Sequence, residues 1–310
     1  MSVAAKHALR GVWTALVTPF NATGGVDIGA YRALLQDQRL ASVAGVVPCG
    51  TTGESPTLTL EEKKELILLA IQEMDGSDCG VIAGTGTNDT AETIELSQWA
   101  SQKDVDGVLI VTPYYNKPSQ AGMEAHFRAV ADVITCPIVL YNVPGRTGVS
   151  LTAETITRLA AHPRIQALKE ATGNVALTSE ILDHLTHAGL RQKFALLSGD
   201  DATFLPLLSV GAQGVISVAS NLFPRGMVAL QTAYERGEVA AARELHERFY
   251  PLFRDLFLDS NPVPIKAALK HAGWCRDDVR LPLIPLATDS CEKLLLSMQR
   301  CGIRTGRAAQ

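Results

Sequence analysis

The chain has 310 residues, 46% hydrophobic and 19% charged, with a formal net charge of -4, a composition that suits a globular enzyme; α/β barrels of roughly 250 residues fold as one domain. Lys and Arg are scattered singly with no basic stripe, which argues against nucleic acid as a partner. No apolar run reaches the ~18 residues that span a bilayer, and residues 1–10 lack the continuous apolar core of a secretory signal, so no membrane is expected and the expected location is the cytoplasm.

The first β-branched, apolar run covers 13–20 and the second 45–50. Residues 60–74 then read as a helix, with Leu66, Ile67, Ala70 and Ile71 on one face and Glu61, Glu62 and Glu65 early in it, where carboxylates suit a helix N-terminus. Further strand-like runs follow at 80–84, 107–112, 137–142, 165–169, 194–198 and 214–217, separated by helical patterns at 90–102, 120–134, 152–161, 174–188 and 202–210. Each strand-like run is almost continuously apolar, as expected for strands buried on both faces. Eight strands alternating with helices predict a parallel sheet closed into a (β/α)8 TIM barrel. The competing open, doubly wound sheet carries G-x-G-x-x-G after its first strand. Here Asn21-Ala22-Thr23-Gly24-Gly25 follows, and Gly84-Thr85-Gly86 lacks the third glycine. Beyond the eighth strand lie helical patterns at 227–236, 239–256 and 263–272, with a further stretch near 289–299. The expected organisation is a barrel over 1–223 and a closing helix plus C-terminal helical region over 224–310, with 305–310 fraying. Six cysteines, at 49, 79, 136, 275, 291 and 301, form no C-x-x-C pair and no zinc spacing with His, so they read as buried small hydrophobes.

A barrel carries its chemistry at the C-terminal ends of its strands. Those positions hold Thr18, Thr51, Thr52, Thr85, Thr112, Tyr114, Tyr115, Tyr141, Lys169, Ser198 and Ser217, and none of the seven histidines. A Ser-His-Asp triad and a His-ligated metal are therefore disfavoured. Lys169 ends an otherwise apolar strand. Burial makes a neutral amine more accessible, which suits a nucleophile that forms a Schiff base with a carbonyl substrate; the alternative is a structural lysine paired with Glu170. Lys266, the competing lysine, follows Pro262 and Pro264 at a helix start and is expected to be exposed. Gly50-Thr51-Thr52-Gly53-Glu54-Ser55 has the glycines and hydroxyls to hold a carboxylate, or is an ordinary strand-to-helix turn. Tyr141 and Tyr115 can relay protons or simply pack. Arg146, after the fifth strand, is a bidentate match for a carboxylate or a plain surface cation.

Taken together, Gly50-Thr51-Thr52-Gly53-Glu54-Ser55, Tyr114-Tyr115-Asn116-Lys117-Pro118, Tyr141-Asn142-Val143-Pro144-Gly145-Arg146-Thr147-Gly148 and Leu168-Lys169-Glu170 resemble the pyruvate-dependent dihydrodipicolinate synthase / N-acetylneuraminate lyase superfamily. Gly214-Val215-Ile216-Ser217 and Asn261-Pro262-Val263-Pro264-Ile265-Lys266 fit it too. Arg146 points to the dihydrodipicolinate synthase branch, where the matching arginine binds the carboxylate of aspartate semialdehyde. The resemblance implies that Lys169 attacks pyruvate, Thr51 and Thr52 hold its carboxylate, and Tyr141 passes protons through Thr51 to a Tyr115 from a neighbouring subunit. Gly145, Arg146 and Ile216 are the further substrate contacts. It implies a homo-oligomer (a dimer of dimers), a lysine- and diaminopimelate-forming role, and neither metal nor organic cofactor. The alternatives are another pyruvate aldolase, acting on N-acetylneuraminate or a 2-keto-3-deoxy sugar acid, and a catalytically silent carboxylate-binding regulator.

The resemblance also implies an effector cleft for L-lysine, at positions that here read Ser55, Pro56, Leu60, Lys63, Asn88, Glu92 and Tyr114. Inhibited relatives often carry histidines where this chain has Leu60 and Lys63. Like-charge repulsion from Lys63, about 3 kcal/mol at ~5–6 Å and an effective dielectric near 20, predicts weak inhibition by lysine.

Overall fold

The computed structural model describes residues 7–303. Its eight strands are hydrogen-bonded in chain order as a closed barrel: β1 (Gly11–Ala15), β2 (Gly45–Val47), β3 (Gly80–Gly84), β4 (Gly107–Val111), β5 (Ile138–Asn142), β6 (Ile165–Glu170), β7 (Ala195–Ser198) and β8 (Gly214–Ser217). Helices alternate with them: α1 (Ile28–Leu40), α2 (Leu60–Met74), α3 (Thr90–Ser101), α4 (Gln120–Ala131), the short α5 (Pro144–Thr147), α6 (Ala153–Ala160), α7 (Val175–His187), α8 (Phe204–Val210) and α9 (Pro224–Glu235). Three more follow: α10 (Val239–Asp255), α11 (Val263–His271) and α12 (Thr288–Arg300). The expected (β/α)8 barrel with a helical C-terminal extension is therefore present. The expectation for 305–310, and most of that for 1–10, lies outside the described residues. Among the described residues, no helix is long and apolar enough to cross a membrane.

Contacts group the chain into two compact units: Gly80–Ile216 with the segment up to Gly11, and Val12–Cys79 with Ser217 onward. In the first, α3 packs on α4, α4 on α6, α6 on α7 and α7 on α8. Four of these helices start on the same device. The side chains of Asp89, Ser119, Thr152 and Asn174 accept from the backbone N–H of Glu92, Gly122, Thr155 and Leu177, satisfying donors that a helix N-terminus otherwise leaves open. Asp106 anchors the N-terminal segment: its Oδ1 accepts from the His7 backbone at 2.7 Å, and its Oδ2 from Val81 N at 2.8 Å.

In the second unit α1 packs on α2, α9 on α10, and both α10 and α11 on α12. Thr59 and Glu62 close a capping box on α2, each side chain bonding the other's backbone N–H at 2.9 and 3.2 Å. Helix α1 falls outside the helical patterns picked out above. Its buried stripe is Tyr31, Leu34, Leu35 and Gln38, and Gln38 breaks the apolar period. That glutamine is satisfied from outside the helix, accepting from Thr14 Oγ1 at 2.6 Å and donating to Ser220 O at 3.0 Å.

Strand β1 is shorter than the run that predicted it, although residues through Phe20 are buried. Asn221 takes the place of a strand neighbour there, accepting from Val17 N at 3.1 Å and donating to Ala15 O at 2.8 Å. All six cysteines are free thiols; Cys275 and Cys291 are only half-buried, contrary to expectation. The first lies past the end of α11, the second outside the buried Leu294, Ser297 and Met298 stripe of α12.

Arg280 ties several segments of this unit together. Its guanidinium donates to both Glu62 carboxylate oxygens at 2.7 and 2.5 Å, to Thr57 O at 2.7 Å and to Gly24 O at 2.9 Å. It also sits 4.4 Å from the centre of the Phe20 ring. This pairing holds the Glu62 carboxyl below the usual range. A depressed carboxyl stabilises the fold above its unfolded value of about 4.3, and that stability is lost as pH falls through the folded value. Arg280→Met should therefore cost about 1.5–3 kcal/mol at neutral pH, the range for hydrogen bonds to charged groups. The deficit should shrink when urea unfolding is repeated well below pH ~4; a deficit independent of pH would remove the ion pair as its cause.

Candidate active site

The register between β5 and β6 builds the centre of the first unit. Tyr141 pairs with Lys169, and Asn142 with Glu170. Successive residues of a strand face opposite ways, so Tyr141 and Lys169 share one face while Asn142 and Glu170 share the other. Both members of the first pair are buried, and Lys169 Nζ lies 4.2 Å from the centre of the Tyr141 ring. On the other face Glu170 accepts from Asn142 Nδ2 at 3.0 Å and from Thr172 N at 2.7 Å. Burial raises the Glu170 carboxyl, and the bonds from Thr172 and Asn142 oppose the rise. Glu170 is thus engaged away from Lys169, and the alternative of a Lys169–Glu170 pair is not what forms.

Asn142 also fixes the loop that carries Arg146. Its Oδ1 accepts from Leu151 N at 3.0 Å, beyond the exposed turn Gly145–Arg146 of α5. Thr112 Oγ1 donates to Thr147 Oγ1 at 3.2 Å in the same loop. Ile216 is fully buried on β8. Tyr115 is different: its backbone is left-handed, φ 69°, and the residue is 89% exposed, so the phenol lies in the open.

Gly199 is a position that the strand-end reading undervalued. A Cβ there would lie 3.1 Å from both Cγ and Cε of Lys169 and 2.6 Å from the Ala171 Cβ. The glycine leaves room for the lysine stem. The only sequence signal is its place directly after β7.

In the second unit, Gly50–Ser55 folds as a tight turn. Gly53 N and Ser55 N donate to Gly50 O at 3.1 and 3.3 Å, and Glu54 N to Thr51 O at 3.0 Å. In a planar trans peptide the C=O and the following N–H point opposite ways. With the Gly50 and Thr51 carbonyls turned into the loop, the N–H groups of Thr51 and Thr52 face outward as a pair, the arrangement that receives an anion. Glu54 ends the turn in a left-handed conformation, φ 56°.

What holds Glu54 is a correction to the sequence reading. Lys266, expected on the surface, is fully buried; its Nζ donates to Glu54 Oε1 at 2.5 Å and to Asp278 O at 2.8 Å, 4.0 Å from the centre of the Phe20 ring. Burial pushes the Lys266 amine down and Glu54 opposes it. Glu54 Oε2 accepts from Arg280 N at 2.9 Å. An ammonium with a carboxylate and a carbonyl as acceptors is a structural cation, which explains how a helix-start lysine tolerates complete burial.

A model of the dihydrodipicolinate synthetase family matches residues 8–300. The chain belongs to this family. It is 47% identical to the 4-hydroxy-tetrahydrodipicolinate synthase of Leptospira biflexa over 298 residues, covering 95% of this chain and 99% of the relative. The solved 4-hydroxy-tetrahydrodipicolinate synthase of Methylacidiphilum fumariolicum SolV matches with a TM-score of 0.91 at 46% identity, over 95% of this chain and 96% of that one. A lysine-bound dihydrodipicolinate synthase from Cyanidioschyzon merolae matches at TM-score 0.91 and 42% identity, over 96% and 100%.

Of the seven effector positions, Asn88, Glu92 and Tyr114 come together. Burial raises the Tyr114 phenol, a bond from the Asn88 backbone lowers it and the Glu92 charge raises it. The other four lie in the second unit: Ser55 and Pro56 on the 3-10 turn after Glu54, Leu60 and Lys63 on the first turn of α2. Burial pushes the Cys49 thiol up to about 12, with Lys63 pulling against it.

The Lys169 geometry predicts the effect of filling the space at Gly199. Gly199→Ala should slow labelling of Lys169 by an α-keto acid plus borohydride by about a hundredfold, the usual penalty for a misplacement near 1 Å. The far-ultraviolet circular dichroism should not change. Labelling at the wild-type rate would mean that the lysine stem does not depend on this glycine.

Proposed function

We propose that this chain is a class I, Schiff-base-forming lyase that condenses pyruvate with L-aspartate 4-semialdehyde to 4-hydroxy-tetrahydrodipicolinate, a step of lysine and diaminopimelate biosynthesis. The observation that carries the reading is the buried Lys169 amine set against Tyr141 at the end of the barrel strands.

The amine of Lys169 adds to the ketone carbon of pyruvate, and loss of water leaves an imine. The imine draws electrons from the methyl group, which gives up a proton to form the enamine. The enamine carbon attacks the aldehyde, making the new C–C bond and an alkoxide that takes up a proton. The amine of the second substrate then adds to the imine carbon, expelling Lys169 and closing the ring. Tyr141, whose ring lies against the amine, is the proton carrier. Thr51 and Thr52 take the pyruvate carboxylate on their paired N–H groups and hydroxyls, and Arg146 takes the carboxylate of the semialdehyde. Gly145 and Ile216 are the remaining substrate contacts. Arg146 favours this acceptor over a sugar acid, because a guanidinium fork matches a carboxylate.

We take the working form to be a homo-oligomer, a dimer of dimers, in the cytoplasm. The exposed phenol of Tyr115, held out by a left-handed backbone, supports a site completed by the tyrosine of a second copy, with Thr51 linking it to Tyr141.

Incubation with pyruvate and borohydride, followed by peptide mapping, should place a single adduct on Lys169. Lys169→Ala should abolish both the adduct and turnover with aspartate semialdehyde. An adduct on Lys266, or faster cleavage of N-acetylneuraminate than condensation, defeats this reading.

The same proposal includes weak inhibition by L-lysine. Lys63 puts a fixed cation among positions that would receive a cationic amino acid, and Leu60 offers it no hydrogen bond. Initial rates titrated with L-lysine should stay flat into tens of millimolar. Half-inhibition below a millimolar would show that Glu92 and Tyr114 offset Lys63.

A further inference from the structure

One contact to the Gly50–Ser55 turn is not explained by keeping the turn in shape. Asn261, buried just ahead of α11, donates from Nδ2 to Thr52 Oγ1 at 2.9 Å. Thr52 is itself only 2% exposed. A hydroxyl has one proton and accepting lone pairs. With a lone pair taken by the amide N–H, the Thr52 proton cannot point at Asn261 and is left to donate elsewhere. Five residues later Lys266 grips Glu54 in the same turn, so the start of α11 holds the turn at two points.

We infer that Asn261 is a positioning residue for the keto-acid substrate: it fixes the Thr52 hydroxyl as a donor toward the substrate carboxylate. This rests on the proposal that the Thr51–Thr52 turn receives pyruvate. A hydroxyl free to rotate has to be ordered when the carboxylate binds and can be drawn to other acceptors beforehand; the amide settles its orientation in advance. An accepted bond also polarises the hydroxyl and strengthens its own donation.

Two substitutions separate this role from packing. Asn261→Ala removes the amide and frees the hydroxyl. The KM for pyruvate should rise about 5–10-fold, the value of one ordinary hydrogen bond, with kcat changing less and the KM for aspartate semialdehyde unchanged. Asn261→Asp keeps the shape but reverses the polarity. Its carboxylate accepts the Thr52 proton and sets a like charge near the substrate carboxylate, so the KM for pyruvate should rise on the order of a hundredfold, the scale of a like-charge contact. A residue that only packs gives the opposite order, with the isosteric Asp milder than Ala.

The same ranking is read without turnover from the pyruvate concentration that half-saturates borohydride trapping, and thermal melts confirm that each variant folds. If Ala does not fold, the isosteric Asp against wild type decides alone. Asp equal to wild type, or better than Ala, overturns the inference and assigns the amide the other way round, with its oxygen toward Thr52. A wild-type protein with no adduct on Lys169 is a different failure: it removes the substrate reading, and the inference with it. A normal wild-type adduct with an unaffected Asp variant removes the inference alone.

Discussion

The structure depends on one irregularity in the pairing of β5 with β6. Ile138 pairs with Ile165, but the next residue, Val139, pairs with Ala167. Gln166 is the extra residue, and β6 gains one position on its neighbour. Without that step Lys169 would stand opposite Asn142. With it, Lys169 stands beside Tyr141 and Glu170 beside Asn142. Bulges of this kind re-aim a side chain, and they concentrate near active sites. Because facing alternates with every residue, a one-position slip would break both pairs at once. The amine would lose its tyrosine, and the buried Glu170 carboxylate would lose the amide that satisfies it.

The two buried lysines show how partner choice divides their tasks. Lys266 is given a carboxylate, a carbonyl and an aromatic face, and Glu54 is in turn bonded by the Arg280 backbone. Removing either partner would leave an isolated buried charge, a change that typically costs 3–5 kcal/mol. Lys169 instead faces the Tyr141 ring, while the adjacent carboxylate of Glu170 is turned away and occupied. The nucleophilic role proposed for Lys169 is compatible with that arrangement, since a tight carboxylate partner favours the charged form of an amine. Burial alone does not set the role of a lysine; what surrounds its nitrogen does.

Most of the barrel was legible because its strands are apolar on both faces and most of its helices carry an apolar stripe, both of which are local signals. Helix α1 was not, since Gln38 interrupts the stripe and is satisfied by Thr14 and Ser220, residues distant in the chain. The end of β1 was misread for a related reason: residues past Ala15 are as apolar as a strand, but Asn221 takes the Val17 N–H and the Ala15 carbonyl in place of a strand neighbour. For the proposed site, Lys169, Tyr141, Thr51, Thr52 and Arg146 stood out in the sequence because each side chain carries recognisable chemistry at or just past a strand end. Lys266 could not. Its position in a Pro-flanked helix start says surface, and the Glu54 carboxylate, 212 residues away in sequence, reverses that together with Asp278 O and the Phe20 ring.

The same distinction separates residues that touch a substrate from those that aim them. Asn142, Gly199 and Asn261 are an amide, a glycine and another amide, types with no reaction of their own. Each acts by restricting a neighbour: Asn142 ties the Glu170 carboxylate to the segment after the Arg146 turn, Gly199 leaves space for the Lys169 stem, and Asn261 sets which way the Thr52 hydroxyl donates. Pre-organisation of this sort matters most where the substrate is small. Pyruvate offers one carboxylate and one ketone, so few contacts are available and a donor turned the wrong way cannot be compensated by others. A larger substrate spreads the error over many contacts. The finer the ligand, the more of its recognition has to reside in groups that never meet it.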